Sequence, residues 1–257
     1  MTFLDALIYG LVEGLTEFLP VSSTAHLIIV SKLLGNPQTE FLKVFEVVIQ
    51  LGAILSIVVL YAKSLLVNPE ILKRVLTAFI PTAILGLFLH KVIKDVFFED
   101  IAIILWALFL GGIFLIVFEK YHKEKEGSNG LDKIPYLISA GIGLFQALAM
   151  VPGVSRSAAT IIGGLVLGLK RKETVEFSFL LAVPTMLAAS VLDLAKSQAN
   201  FSRQEWACLA VGVCVSFIVA MGSVKFLLRY IQTNNFVTFG IYRIVFAVLF
   251  GVIIFLK

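Results

Sequence analysis

The chain is 257 residues long, 59% hydrophobic and only 15% charged, which lies well outside the range of an ordinary soluble domain. Its formal net charge of +4 comes from short basic stretches between apolar runs, with no basic, aromatic-bearing patch elsewhere. Nucleic-acid binding is therefore excluded as the activity, and the chain reads as one all-α, polytopic membrane domain spanning 1–257.

The first apolar run, at about 3–18, lacks a charged n-region and a small-residue cleavage site, so it is expected to stay in the mature protein. It leads into a polar cluster, Glu13-Gly-Leu-Thr-Glu17-Phe-Leu-Pro20-Val-Ser22-Ser23-Thr24-Ala-His26. Residues 24–34 then predict a helix of about 11 residues, ~17 Å long and too short to cross a bilayer. Apolar stretches at roughly 44–62, 72–90 and 101–118 follow, each near the ~20 residues that span ~30 Å of hydrocarbon. The most polar stretch, 119–133, separates these from a second series. That series holds an apolar run at about 135–150, a second polar cluster, a short helix at 157–169, and spans at roughly 176–193, 206–224 and 237–256. Cys208 and Cys214 fall six apart in one apolar run, on different faces of a helix, so no disulfide is expected between them.

The second cluster repeats the first at an offset of 133 residues. Gln146-Ala-Leu-Ala-Met150-Val-Pro152-Gly153-Val-Ser155-Arg156-Ser157-Ala-Ala-Thr160 aligns with Glu13 onward. Gly10-Leu11 matches Gly143-Leu144, Val21-Ser22 matches Val154-Ser155, and Ile28-Ile29 matches Ile161-Ile162. Each cluster joins an apolar helical run to a short helix at Pro20 or Pro152-Gly153, which predicts a re-entrant helical hairpin with a polar tip. Non-helical backbone at membrane depth is tolerated only inside protein or beside a watery cavity. One hairpin plus three transmembrane helices gives an odd number of crossings per half. Repeat two, at about 134–257, must then be inverted relative to repeat one, at about 1–119, with a polar linker at 120–133. Sites in such inverted repeats lie where the two broken elements meet. Lys and Arg number twelve in the loops on the side reached after the first span and seven on the other. That asymmetry makes the first side cytoplasmic and puts both termini outside.

Ionisable groups at membrane depth mark sites or pathways. Glu13 and Glu17 share a helix face one turn apart. Two such carboxylates either share a divalent cation, Mg²⁺ or Ca²⁺, or one of them holds a proton and serves as acid or base. Ser22, Ser23 and Thr24 stand at a helix start, where they can cap it and where free N–H groups face an anion. His26 follows within the first turn, where it could face the same point as the Ser23 hydroxyl. It could deprotonate Ser23, protonate a leaving oxygen, or attack phosphorus itself. Arg156, between Ser155 and Ser157 at the second helix start, offers a planar fork that matches phosphate, or a partner for Glu13 or Glu17. Thr160 either donates to the same anion or bonds back to its own helix. Glu46, Gln50 and Ser178 either line the cavity or lock helices together. Arg243, beside Tyr242 in the last span, is read as a structural ion pair or a snorkelling side chain in preference to a catalytic group.

These motifs resemble the undecaprenyl-diphosphate phosphatase family of bacterial inner membranes, the bacitracin-resistance type. The resemblance extends to Phe45-Glu-Val-Val-Ile-Gln-Leu-Gly52, Glu176-Phe-Ser-Phe-Leu-Leu-Ala-Val-Pro184 and Ile241-Tyr-Arg243. Ala25 and Ala158 stand where the family usually has glycine. The resemblance implies a multi-pass enzyme of the inner (plasma) membrane whose active site opens to the outer face. Its implied reaction is hydrolysis of undecaprenyl diphosphate to the monophosphate and inorganic phosphate, which recycles the carrier for peptidoglycan. It implies Glu17, Ser23, His26 and Arg156 as catalytic residues and Glu13 with Glu17 as ligands of a divalent cation. Ser22, Thr24, Ser155, Ser157 and Thr160 are the expected phosphate-binding residues. Partners are then the lipid substrate and membrane lipids, with the state, monomer or homodimer, left open. A polyprenyl-phosphate transporter or flippase is the rival from another class, since broken inverted repeats are common there. The reactive set in the first cluster weighs against it. A phosphatidic-acid-type phosphatase would need a second motif histidine, and 150–175 contains none.

Overall fold

A computed structural model describes residues 1–37, 39–97, 101–124, 130–196 and 201–255. Ten α-helices lie among them: α1 (Phe3–Thr16), α2 (Ser23–Leu34), α3 (Glu40–Val67), α4 (Pro69–Phe97) and α5 (Ile101–Tyr121) in the first half. The second half holds α6 (Tyr136–Ala147), α7 (Arg156–Val166), α8 (Arg171–Lys196), α9 (Arg203–Tyr230) and α10 (Val237–Phe255). The described residues contain no strand. Six helices (α3, α4, α5, α8, α9 and α10) are long and apolar enough to cross a membrane, with mean hydropathy of 1.7 to 2.9 in their most apolar windows. They coincide with the six predicted spans, and the chain is a multi-pass membrane protein. Of the linker, 125–129 lies outside the described residues.

The short helices are delimited by local chemistry. A capping box starts α1: the Thr2 hydroxyl accepts from the Asp5 amide at 3.1 Å, and the Asp5 carboxylate accepts from the Thr2 amide at 2.7 Å. The regular part of α1 ends at Thr16, and 17–21 form a turn around Pro20, whose ring and missing N–H prevent the helix from continuing. In the second half, α6 tightens into a 3₁₀ turn at Leu148–Met150 before Pro152-Gly153 breaks it. The helix expected at 157–169 stops earlier, at Val166, and Gly168 follows with φ +92°.

Each half lends its first helix to the other. α1 packs along α9, α6 packs along α4, and α5 pairs with α10. Small residues permit these approaches. A Cβ on Gly10 would lie 2.6 Å from the Gly212 carbonyl oxygen, and one on Gly143 would overlap the Ala78 carbonyl oxygen. Gly10 and Gly143 occupy the same position in the two repeats, so the sequence echo corresponds to an echo in packing. Leu4, Leu7, Leu11 and Leu15 form an exposed apolar stripe on the opposite side of α1, suited to lipid. Phe18, Ile161, Phe177, Phe179 and Leu181 belong to the main buried cluster, which underlies both tips.

Candidate active site

The same strained turn is built twice. Ser22 and Ser155 stand immediately before α2 and α7 with φ of 71° and 77°, and they are the non-glycine residues of positive φ among those described. Such backbone is held only where the surroundings over-determine it, and it clusters at functional sites. The two turns meet. Arg156 Nη2 donates to Glu17 Oε1 at 3.1 Å, and the Ser157 hydroxyl donates to the Leu19 carbonyl at 2.7 Å. Between them is a cavity of about 150 Å³ whose polar lining is Glu17, Ser22, Ser23, Thr24, Gln50, Ser155 and Arg156. A larger depression of about 420 Å³, near Asn36, Thr39 and Phe201, contains none of these residues.

Glu17 is the hub. Its Oε2 accepts from the Ser23 hydroxyl at 2.5 Å while Oε1 takes Arg156. Arg156 Nη1 donates to the Ser178 carbonyl at 2.8 Å, and its guanidinium carbon lies 5.7 Å from the centre of the Phe18 ring. Its Nε has no partner among the described residues, so the guanidinium retains donor capacity beyond the carboxylate. Helix α2 starts without a side-chain cap, leaving N–H groups at its first turn beside the cavity, where an anion is favoured. The methyls of Ala25 and Ala158 are buried in the protein and do not line the cavity.

Glu13 is fully buried, and neither of its carboxylate oxygens has a hydrogen-bond donor among the described residues. It lies within electrostatic range of Glu17, Glu46 and Arg156. A carboxyl group in that position needs a cation or a shared proton. Among the described residues no three His, Cys, Asp or Glu side chains gather as a larger ligand set. Glu13 and Glu17 would give such a cation two carboxylates, with phosphate oxygens and water completing the shell, a pattern usual for Mg²⁺. The donor set fits such an ion.

Several expected residues are placed otherwise. Thr160 bonds back to its own helix through the Arg156 and Ser157 carbonyls, and its hydroxyl pairs with that of Ser178 at 2.6 Å. Ser157 is a staple between the tips and does not line the cavity. Ser178 locks helices together, whereas Gln50 does line the cavity. The sequence allowed His26 to face the same point as the Ser23 hydroxyl. Instead its Nδ1 lies 2.7 Å from the Ser22 carbonyl, its Nε2 lies 2.7 Å from the Tyr242 hydroxyl, and it is absent from the cavity wall. Helix α10 supplies the partner, so the ring's direction is set from 216 residues away.

Arg243, read from the sequence as an ion pair or a snorkelling side chain, does not snorkel and forms no ion pair among the described residues. It is 1% exposed and donates to five backbone carbonyls: Ala107 and Leu108 of α5, Pro20 of the first tip, and Gly153 and Val154 of the second. One side chain thus fastens both irregular turns to a continuous helix. The only sequence signal was a Tyr-Arg pair within an apolar span, which marks importance without naming partners.

A multi-pass helical membrane protein with two broken helices meeting at a buried Glu–Ser–Arg cluster is the class that fold and site define. The chain belongs to the bacitracin resistance protein BacA family, whose model matches residues 6–249. It is 53% identical to a protein named undecaprenyl-diphosphatase from Sulfurihydrogenibium sp. (strain YO3AOP1), covering 97% of this chain and 98% of that one. A protein of the same name from Persephonella marina is 49% identical over 97% of this chain and 98% of the relative. Another from Aquifex aeolicus is 45% identical over 98% of each.

Proposed function

We propose that this chain hydrolyses undecaprenyl diphosphate to undecaprenyl phosphate and inorganic phosphate, recycling the lipid carrier for peptidoglycan synthesis. The observation that carries this reading is the Ser23–Glu17–Arg156 chain across the two tips, which joins a nucleophile, a base and an anion clamp in one cavity. A pure carrier has no need of a serine hydroxyl held on a carboxylate.

Arg156, the first turn of α2, and the hydroxyls of Ser22, Thr24 and Ser155 receive the terminal phosphate. Ser23 attacks phosphorus as its proton passes to Glu17, the bond to the bridging oxygen breaks, and undecaprenyl phosphate leaves. Water then attacks the phosphoserine, releasing inorganic phosphate and restoring the serine. Phosphoryl transfer of this kind depends mainly on positioning and charge stabilisation. Glu13 and Glu17 would hold Mg²⁺ or Ca²⁺, whose contribution is to neutralise charge on the phosphate oxygens. His26 serves the same site from behind Ser22.

Each half is read as one re-entrant hairpin and three crossings, with the second half inverted. The reciprocal packing of α1 on α9 and of α6 on α4 supports this plan. With both termini outside, the site opens to the outer face of the plasma membrane and the prenyl tail lies between helices. The test is phosphate release from undecaprenyl diphosphate by the purified protein, with and without chelator. Rapid release that falls on chelation is expected. No release under any cation would overturn the reading.

A further inference from the structure

The two serine turns differ in one respect. At Ser155 the hydroxyl accepts from the Ala158 amide at 3.2 Å and so caps its own helix. At Ser22, of nearly equal φ, the hydroxyl makes no capping bond, although both serines line the cavity. The position equivalent to His26 in the second copy is Ala159. In the first copy the imidazole holds the turn: the Ser22 carbonyl receives both the His26 amide at 3.3 Å and His26 Nδ1 at 2.7 Å. A carbonyl oxygen only accepts, so Nδ1 carries the proton, and in the neutral ring Nε2 is left to accept from the Tyr242 hydroxyl. Phe246 covers the ring, its centroid 4.0 Å away. Both nitrogens are committed, and neither faces the Ser23 hydroxyl, which Glu17 takes.

We infer that Tyr242 and His26 form a positioning pair, in which His26 acts as an Nδ1 donor that holds the Ser22 carbonyl. That bond leaves the Ser22 hydroxyl for phosphate and aims Ser23 at Glu17. The catalytic consequence rests on the hydrolase reading above; the hydrogen-bond assignment does not.

Asparagine separates this role from acid–base or nucleophilic work, because its amide nitrogen occupies nearly the place of Nδ1 but can do neither job. His26→Asn is expected to keep kcat within about tenfold of the parent, the worth of one altered hydrogen bond. His26→Gln and His26→Ala misplace or delete that donor and are expected to lose about a hundredfold or more. Tyr242→Phe is expected to lower kcat by about two- to tenfold while leaving KM in place. A folded His26→Asn as inactive as His26→Ala would overturn the inference. A second readout needs no turnover. ¹⁵N-histidine labelling introduces only three signals sets, from His26, His90 and His122. The His26 ring should show a protonated Nδ1 and a bare Nε2, with Tyr242→Phe shifting the Nε2 resonance. An Nε2–H tautomer at His26 would sink the pair, whatever the enzyme assay gives.

Discussion

Arg156 divides one planar group among three directions: Nη2 to Glu17, Nη1 to the Ser178 carbonyl, and an Nε unpartnered among the described residues. Lysine would keep the charge and lose the fork. Arg156→Lys is therefore expected to reduce turnover by about two orders of magnitude or more, the scale reported for loss of one preorganised transition-state donor. Near-normal turnover would remove the clamp assignment. Glu13 makes a different kind of claim, because its buried carboxylate has no donor among the described residues. Glu13→Gln is expected to leave the unfolding temperature in chelator unchanged or raised, and to abolish the rise that Mg²⁺ or Ca²⁺ produces in the parent protein. A cation-induced shift that survives in Glu13→Gln would show that Glu13 is not a ligand. Both residues were legible in the sequence, since charge inside an apolar run is conspicuous. The commitments of Thr160 and Ser157 were not. A hydroxyl in a helix can turn back to its own backbone anywhere, and nothing in residue type says whether it does.

At the scale of elements, the broken helices were legible because Pro20 and Pro152-Gly153 interrupt apolar runs too short to cross. What keeps the breaks in register was hidden. Arg243 binds five carbonyls, and carbonyls have no signature in a sequence because every residue owns one. Replacing it strands acceptors in a dry interior, at about 1–3 kcal/mol for each left unsatisfied. Arg243→Met is expected to lower the unfolding temperature in detergent and to cut kcat/KM about a hundredfold or more, because both tips lose their anchor. Unchanged stability and activity would show that the tips hold themselves. The direction of His26 was hidden for a related reason: its partner Tyr242 lies on the last helix, and helical periodicity says nothing about so distant a neighbour.

Over the whole molecule, the 133-residue echo carries more than the site. Gly10 and Gly143 make equivalent close approaches to helices of opposite halves, so neither half buries its first helix without the other. Gly143→Ala is expected to destabilise the protein by about 1–3 kcal/mol through overpacking against Ala78, as measured by unfolding in detergent; a neutral result would mean that α4 and α6 separate easily. The repeat also shows how one fold divides its labour. Gln146, standing where the first copy has Glu13, donates to Thr82 and Thr185 and serves packing, while the first copy keeps the carboxylates. The second copy contributes Arg156 at the position of Ser23.

The most direct measurement is a double-mutant cycle on kcat/KM for undecaprenyl diphosphate, using Glu17→Gln, Arg156→Lys and the two combined. Groups that act as one unit give strongly non-additive losses, whereas independent sites multiply theirs. A shared site at the meeting of the two tips requires the double variant to be no more than about threefold worse than the poorer single variant. Losses that multiply in full would mean that Glu17 and Arg156 work apart, and that the two turns do not compose one active site.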